Sequence, residues 1–308
     1  MRTPLKLGAF AAGLAAVFAA SLGAGHLAGP VAAPATQPAH GQTDGPAGHQ
    51  ASPQGHTSEE TQGQTHGEGG QAHGQSGQSS QTTPGGLQIS QDGYTLVPLT
   101  TTLTAGTTQE FRFRIDGPDG APLTRYTVEH EKELHLIAVR RDFAGYQHVH
   151  PVRSADGTWS VPLQTAQPGQ YRIFADFRPE AADKGLTLGA DVAAAGDYQP
   201  RPLPASAHTA TVDGYTVELR GELHPGTATE LGFTISRNGQ RIDPEPYLGA
   251  QGHLVALRDG DLAYLHVHPV QGTTFAAEVP SAGRYRLYLD FKHGGTVHTA
   301  EFTAGTDH

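Results

Sequence analysis

The stretch His253–Val270 reads HLVALRDGDLAYLHVHPV, and His135–Val152 reads HLIAVRRDFAGYQHVHPV, which aligns with it without a gap. Each copy begins with an apolar run rich in branched residues and ends at His-Val-His-Pro. In the later copy, an Asp-Gly pair stands between two apolar runs, which is a strong signal for a β-hairpin. The sequence therefore predicts the same pair of antiparallel strands in both copies.

The rest of the C-terminal two thirds is also duplicated. Segments such as EFRFRI and YRLYLDF alternate with period two, as half-buried strands do, and turn-forming residues interrupt them at short intervals. The matching segments are GYTL at Gly93 and GYTV at Gly214, LTAGTTQEFRFRI at Leu103 and LHPGTATELGFTI at Leu223, and GQYRIFADF at Gly169 and GRYRLYLDF at Gly283. We predict an all-β chain with two tandem immunoglobulin-like β-sandwich domains, repeat 1 over 87–203 and repeat 2 over 204–308.

The N-terminal segment 1–28 has the charged-then-apolar order of a secretory signal. Arg2 and Lys6 precede the apolar run Leu7–Gly25, and the next basic residue is Arg112. The run is long enough to span a bilayer as an apolar helix, while Ala19-Ala20-Ser21 is an acceptable cleavage site. A cleaved signal peptide and a signal-anchor helix that attaches the chain to the membrane both remain open, and both place the rest of the chain outside the cytoplasmic membrane.

Residues 29–86 form a segment rich in His, Gly and Gln with few aliphatic residues. Such a composition cannot bury enough apolar surface to offset the entropy of ordering, so we predict a disordered linker. His-rich tracts of this kind are a hint of metal binding, and a flexible polar tether is the other interpretation.

The charge and the residue counts exclude some classes of function. The net charge of −10, with 20 basic against 30 acidic residues, argues against a nucleic-acid partner. The chain has no cysteine, so disulfides and thiolate metal sites are excluded. Its 18 histidines are the unusual feature, and imidazole is the commonest ligand of transition metals.

The hairpin predicts a cluster of histidines in repeat 2. If Asp259 and Gly260 form a two-residue loop, His253 lies opposite His266. His268 lies two residues further along the strand and therefore points to the same face. These three imidazoles are expected to form a triangle that can hold a metal ion.

Repeat 1 has the same spacing, so His135, His148 and His150 are expected to be arranged alike. Three imidazoles suit a divalent transition metal, Cu(II), Zn(II) or Ni(II), with a coordination position left for another group. Candidates for further ligands, or for groups that orient a ligand, are His130 with its neighbours Glu129 and Glu131, the matching pair Asp176 and Asp290, and His293 and His298.

With the motifs LHLIAVRRDFAGYQHVHP and EPYLGAQGHLVALRDGDLAYLHVHP, the chain resembles a group of actinobacterial extracytoplasmic proteins that are described as secreted or heavy-metal-associated. The resemblance covers about two thirds of the chain. It implies a role in handling copper or other heavy metals.

The leading hypothesis is a secreted or membrane-anchored protein that buffers or hands over a divalent transition metal, with copper favoured, through one site per repeat. Its partners are then the metal ion and a metal transporter or another envelope protein. The alternative is a structural or interaction module of the cell envelope whose histidines serve packing or a pH response. We expect no enzymatic activity, because the chain shows no nucleophile elbow and no phosphate-binding loop.

Overall fold

The described residues contain β-strands as their regular secondary structure. The structure is a computed structural model that describes residues 83–265 and 267–306. The strands of repeat 1 are β1 (Ser90–Gln91), β2 (Tyr94–Pro98), β3 (Thr102–Thr104), β4 (Thr107–Asp116), β5 (Tyr126–Thr127), β6 (Leu134–Arg140), β7 (Gln147–Val149), β8 (Val152–Arg153), β9 (Trp159–Thr165), β10 (Gly169–Pro179) and β11 (Leu186–Ala195). Those of repeat 2 are β12 (Thr209–Val212), β13 (Tyr215–Arg220), β14 (Ala228–Arg237), β15 (Gln240–Ile242), β16 (His253–Arg258), β17 (Val267–Gln271), β18 (Thr274–Glu278), β19 (Arg284–His293) and β20 (Thr296–Gly305).

Each repeat is a sandwich of two sheets, which confirms the predicted immunoglobulin-like fold class. In repeat 1 one sheet has the order β1-β2-β4-β9-β8 and the other β3-β11-β10-β6-β7, with β5 beside β10. In repeat 2 the corresponding sheets are β12-β13-β14-β18-β17, with β15 beside β14, and β16-β19-β20. The pairing is antiparallel except between β3 and β11.

Alternating side chains of the facing sheets fill each sandwich. The burial along β4 follows the period of two that EFRFRI predicts, and Phe111, Phe113 and Ile115 are fully buried. Trp159 packs flat on Phe113, with ring centres 6.3 Å apart, and its indole N–H donates to the Tyr126 hydroxyl at 3.1 Å. Repeat 2 has its own core, in which Phe233 packs against Phe275 and Phe302.

The repeats meet through the same face of each. All seven residues of β6 are buried: Leu134, Leu136 and Ala138 face the core of repeat 1, and the side chains between them face repeat 2. The apolar cluster between the repeats contains equivalent residues of both copies, namely Ile137 and Val255, Val139 and Leu257, Phe174 and Tyr288, and Tyr146 and Tyr264. A continuous apolar run such as HLIAVR is what a strand buried on both faces requires. His135 is the second residue of β6 and His253 is the first residue of β16, the two strands that build this interface.

The predicted N-terminal helix and most of the predicted linker lie outside the described residues. The linker was expected to extend to Gly86, but Thr83–Gly86 are described and contact the sandwiches. Gly85 forms a β-bridge with Tyr264, and the Gly86 N–H donates to the Thr187 carbonyl at 2.7 Å. No helix in the described part of the chain has the length and apolar character needed to cross a membrane.

Candidate metal centre

The hairpins have a different register from the one that the Asp-Gly pair predicts. In repeat 2, Leu257 lies opposite Tyr264, and the loop comprises the four residues from Asp259 to Leu262 instead of two. Leu262 takes a left-handed conformation with φ of 58° and donates its N–H to the Arg258 carbonyl. The predicted pairing was therefore wrong by two residues. Since two residues are one full period of a strand, each side chain keeps its face.

The three histidines of repeat 1 come together as predicted. β7 pairs with β6, and His148 lies opposite Ile137. The imidazole rings of His135, His148 and His150 have centres 5.0 to 5.3 Å apart. Their donor nitrogens all lie within 4.8 Å of one another, which is a separation compatible with a single metal ion after small side-chain movements.

Among the described residues, repeat 2 shows no matching triangle, and His268 joins no group of three metal-ligating side chains. That residue is exposed and lies in β17, which pairs with β18 of the other sheet, where His268 is opposite Ala276. From Val267 the chain pairs with β18 of one sheet, whereas His253 lies in β16 of the other sheet. His266 lies outside the described residues.

His253 instead lies beside the histidines of repeat 1. Its ring centre is 6.0 Å from that of His135 and 5.9 Å from that of His148. His130, also predicted as a candidate, stands over both repeats with its ring centre 5.1 Å from that of His253 and 6.1 Å from that of His135. The structure thus gathers five imidazoles at the interface between the repeats, and we call His130, His135, His148, His150 and His253 the histidine cluster.

His130 occupies a strained turn at the rim of the cluster. The backbone N–H groups of Glu129 and Lys132 each donate to the carbonyl of the other, and His130 and Glu131 between them have φ values of 48° and 63°. This is the geometry of a type I′ turn, which glycine or asparagine usually supplies. Residues other than glycine and asparagine adopt these backbone angles at a cost of about 1 kcal/mol or more each. Backbone strain of this kind is common at functional sites. His130 is exposed and lines an open cleft of about 520 Å³ beside Pro246, Gln251 and Pro269.

A chain of three polar contacts fixes two of the rings. His135 Nε2 lies 3.1 Å from the Glu129 carbonyl oxygen, His135 Nδ1 lies 3.1 Å from His148 Nε2, and His148 Nδ1 lies 2.9 Å from Asp290 Oδ2. The carbonyl and the carboxylate at the two ends only accept hydrogen bonds, so each ring donates its N–H outward. A neutral imidazole has one N–H, and two lone pairs are therefore left facing each other between His135 Nδ1 and His148 Nε2. That gap requires a positive charge, either a proton or a metal cation.

The separation in this gap suits a metal. Two nitrogens at about 2.0 to 2.1 Å from a tetrahedral ion lie about 3.3 Å apart, close to the 3.1 Å between His135 Nδ1 and His148 Nε2. Metal-bound histidines commonly donate their other N–H to a carbonyl or a carboxylate, as both rings do here. His150 and His253 add a buried Nε2 each that has no hydrogen-bond partner.

The environment keeps three of the rings neutral. Burial, together with the neighbouring imidazoles, lowers the pKa of His135 to about 3 and the pKa values of His150 and His253 to about 4. Desolvation disfavours the charged form, and each nearby imidazole would repel a second positive charge. Neutral imidazole is the form that binds a metal, so these rings are ready to bind at physiological pH.

The two matching aspartates have different surroundings. Asp290, predicted for the repeat 2 site, reaches across to repeat 1: it accepts from His148, from the Tyr146 hydroxyl at 3.3 Å, and from Thr299 Oγ1 at 2.6 Å. Asp176 is half-buried, lies opposite His135 in the β6–β10 ladder, and accepts from Thr187 Oγ1 at 2.9 Å. Burial raises the pKa of Asp176 to about 6. Asp290 therefore orients a ring of the cluster, whereas Asp176 has no such contact.

The structure does not bring His293 and His298 into the cluster. His298 Nδ1 lies 2.7 Å from Asp213 Oδ2 and its ring packs on Tyr215 and Phe291. His293 Nδ1 lies 2.7 Å from the Tyr215 hydroxyl. Both belong to a hydrogen-bonded group around Tyr215, and their prediction as metal ligands was wrong because the β19–β20 hairpin directs them to that group.

Sequence reasoning missed the residues that join the two repeats at the site. Tyr146 stacks on Tyr288 with ring centres 3.9 Å apart, and its hydroxyl donates to Asp290. Tyr247 packs edge-on against His253 with ring centres 5.7 Å apart. No spacing in the sequence marks the contacts of Tyr146, because they join residues more than 100 positions apart.

The fold and the site define a protein of two β-sandwich repeats with a histidine cluster where the repeats meet. The chain belongs to a family described as a domain of unknown function, DUF8832, whose model matches residues 89–196 and 210–308, once in each repeat. Comparison with the curated proteins gives no match.

Solved structures of tandem β domains are similar to the chain in part. The Escherichia coli adhesin FdeC shares 15% identity over 71% of this chain with a TM-score of 0.24, and the chain spans 65% of the length of that structure. The tandem Ig repeats of Dlar share 9% identity over 70% of this chain and 97% of theirs, with a TM-score of 0.20. Domains 4–9 of the surface layer protein SbsC share 12% identity over 69% of this chain and 31% of theirs, also with a TM-score of 0.20. At these TM-scores the similarity carries no information about function.

Proposed function

We propose that the protein binds a divalent transition metal at the histidine cluster and buffers it or hands it over, without catalysis. The observation that carries this proposal is the 3.1 Å approach of His135 Nδ1 to His148 Nε2 while the other nitrogen of each ring faces an acceptor, an arrangement that a cation between the two nitrogens would satisfy. His150, with a donor nitrogen in the same small volume, supplies a third ligand.

A metal ion is the occupant that fits this donor set best. The ligands are neutral imidazole nitrogens, which suit Cu, Zn and Ni and are poor ligands for Ca²⁺ and Mg²⁺. Among the suitable ions, copper is favoured because the HVHP motifs resemble those of heavy-metal-associated proteins.

We place this activity outside the cytoplasmic membrane, with the protein secreted or anchored by its N-terminal segment. Support comes from the order of Arg2, Lys6 and the apolar run Leu7–Gly25, which is the order of a secretory signal. A metal transporter or another envelope protein is then the proposed recipient of the ion.

The test compares two single variants of the full chain, each of which changes the same position of the motif in a different repeat. His150→Ala removes a ligand from the cluster, and His268→Ala removes the matching histidine of repeat 2, which is exposed in β17. Titration with Cu(II) and Zn(II) against a competing chelator should show one tight equivalent lost in His150→Ala and kept in His268→Ala. The linker histidines are common to both variants, so they cancel in the comparison. Equal binding by the parent and His150→Ala would rule out the site.

A structural role is the second candidate, because the cluster also holds the repeats together. His148 and Tyr146 of repeat 1 both bind Asp290 of repeat 2, and the Tyr288 hydroxyl donates to the Phe143 carbonyl at 2.8 Å. If the histidines serve only this role, His150→Ala should lower the melting temperature in the presence of a chelator, and added metal should not raise the melting temperature of the parent.

A further inference from the structure

We propose that His253 of repeat 2 completes the metal centre, so that both repeats hold one ion jointly. This inference rests on the proposed function and replaces the expected pair of separate sites with one shared site. It assigns four ligands, His135, His148 and His150 from repeat 1 and His253 from repeat 2.

The side chain of His253 is prepared in the same way as that of His135. A backbone hydrogen bond at Leu248 offsets part of the effect of burial on the pKa of His253, and His253 Nε2 is buried without a partner. The donor to Leu248 is then Nδ1, which leaves a lone pair on the buried Nε2. An unpaired buried polar atom is costly, and a metal ion is one partner that would satisfy it.

Equivalent turns of the two repeats supply the carbonyls that orient these rings. The turn Glu129–Lys132 provides the acceptor for His135, and the turn Tyr247–Ala250 provides the acceptor for His253. Leu248 and Gly249 have φ values of 53° and 77°, so this second turn has the left-handed pair of residues found in the first. The repeats therefore orient their first histidine by the same device, although only repeat 1 adds its HVHP histidines to the described cluster.

The geometry places His253 within reach of the ion. Imidazoles bound to one tetrahedral metal have ring centres about 5 Å apart. The rings of repeat 1 already have this spacing, and His253 lies 5.9 Å from His148 and 6.0 Å from His135. A movement of about 1 Å, within the range of side-chain adjustment on binding, completes a four-nitrogen set.

Asp290 connects the two halves of the site independently of the metal. It lies opposite His253 in the β16–β19 ladder, and its carboxylate holds His148 of the other repeat. An ion bound by His148 and His253 would therefore close a ring of contacts through the strands of both repeats. We infer that metal binding fastens the repeats to each other.

The experiment is a double-variant cycle on the full chain, with His150→Ala, His253→Ala and both together, and His268→Ala as the control. The shared centre predicts that each single variant weakens binding of the same equivalent by more than about tenfold and that the double variant loses no second equivalent. Two separate sites predict the loss of one equivalent in each single variant and of two in the double variant, which would overturn the proposal.

The coordination number provides an independent readout. X-ray absorption of the Zn(II) form should count four imidazoles in the parent and in His268→Ala, and three in His253→Ala. His253→Gln, which keeps a polar side chain of similar size, covers the case in which the alanine variant does not fold. If His150→Ala loses the ion while both His253 variants keep the parent affinity and four imidazoles, the shared centre is wrong and the proposed function stands. If none of the variants changes binding, the proposed function itself fails.

Discussion

Replacing Asp290 with asparagine should weaken metal binding although Asp290 is not expected to touch the ion. One carboxylate oxygen accepts from His148 Nδ1 at 2.9 Å and from the Tyr146 hydroxyl, and the other accepts from Thr299 at 2.6 Å. Asparagine has one acceptor oxygen, and if this oxygen serves Thr299, the amide NH₂ faces His148. The ring must then move its N–H to Nε2, which removes the lone pair that faces His135. Loss of such an outer partner costs about 10- to 100-fold in affinity, or about 1.4 to 2.7 kcal/mol.

Competitive titration of metal-depleted Asp290→Asn against a chromophoric chelator measures this change. Asp213→Asn is the matched control, because Asp213 also holds a histidine, His298, at 2.7 Å but outside the cluster. We expect the control to bind within about twofold of the parent, well below the effect of losing an outer partner. Parent-like affinity in Asp290→Asn would refute the reasoning, since the tautomer of His148 would then not depend on this carboxylate.

Three further predictions concern the same interface. The metal-free protein should lose stability as the pH falls from about 6.5 towards 4, as measured by urea unfolding in the presence of a chelator. Burial lowers the folded-state pKa values of His135, His150 and His253 to about 3 or 4. The unfolded chain therefore binds more protons than the folded chain in this pH range, which favours unfolding. Asp176 opposes this trend, because its pKa is raised to about 6 and its folded form therefore gains stability on acidification. A protein that becomes more stable on acidification would show that the three imidazoles do not dominate. His130→Ala should slow the association of metal, measured by stopped-flow mixing, more than it changes the affinity. The reason is that His130 is exposed on the cleft beside the buried donor nitrogens. An unchanged association rate would exclude His130 from the uptake route. Leu257→Ala should lower the free energy of unfolding by about 2 to 5 kcal/mol in thermal or urea unfolding, because the fully buried Leu257 side chain packs in the apolar cluster between the repeats. A change below about 1 kcal/mol would mean that the repeats do not pack through this face.

The triangle of repeat 1 could be predicted from the sequence because it depends on a robust property of strands. The expected two-residue loop was wrong, yet His135, His148 and His150 still share a face, since an error of one full period leaves the orientation of each side chain unchanged. The loop length itself was not readable from Asp259-Gly260. Gly260 does adopt a positive φ of 97°, but Leu262 also enters the left-handed region, which its residue type does not indicate.

The failure for repeat 2 has a different physical origin. Two copies of one motif imply two equivalent sites only if each copy folds and packs in the same surroundings. Here, the HVHP segment of repeat 1 stays beside β6 through Val149, whereas by Val267 that of repeat 2 has joined the opposite sheet. Period and spacing describe one strand pair at a time and contain no information about which sheet a strand joins.

Packing of the repeats through equivalent faces explains why a shared centre arises at this place. Packing through equivalent faces places equivalent residues of the two copies in one apolar cluster, as it does for Ile137 and Val255 and for Val139 and Leu257. His135 is the second residue of β6 and His253 the first of β16, and their ring centres lie 6.0 Å apart. Duplication thereby adds an imidazole of repeat 2, His253, to the four of repeat 1. The apolar contacts between the repeats hold the donors in position before an ion arrives, and this preorganisation reduces the entropy that metal binding must overcome.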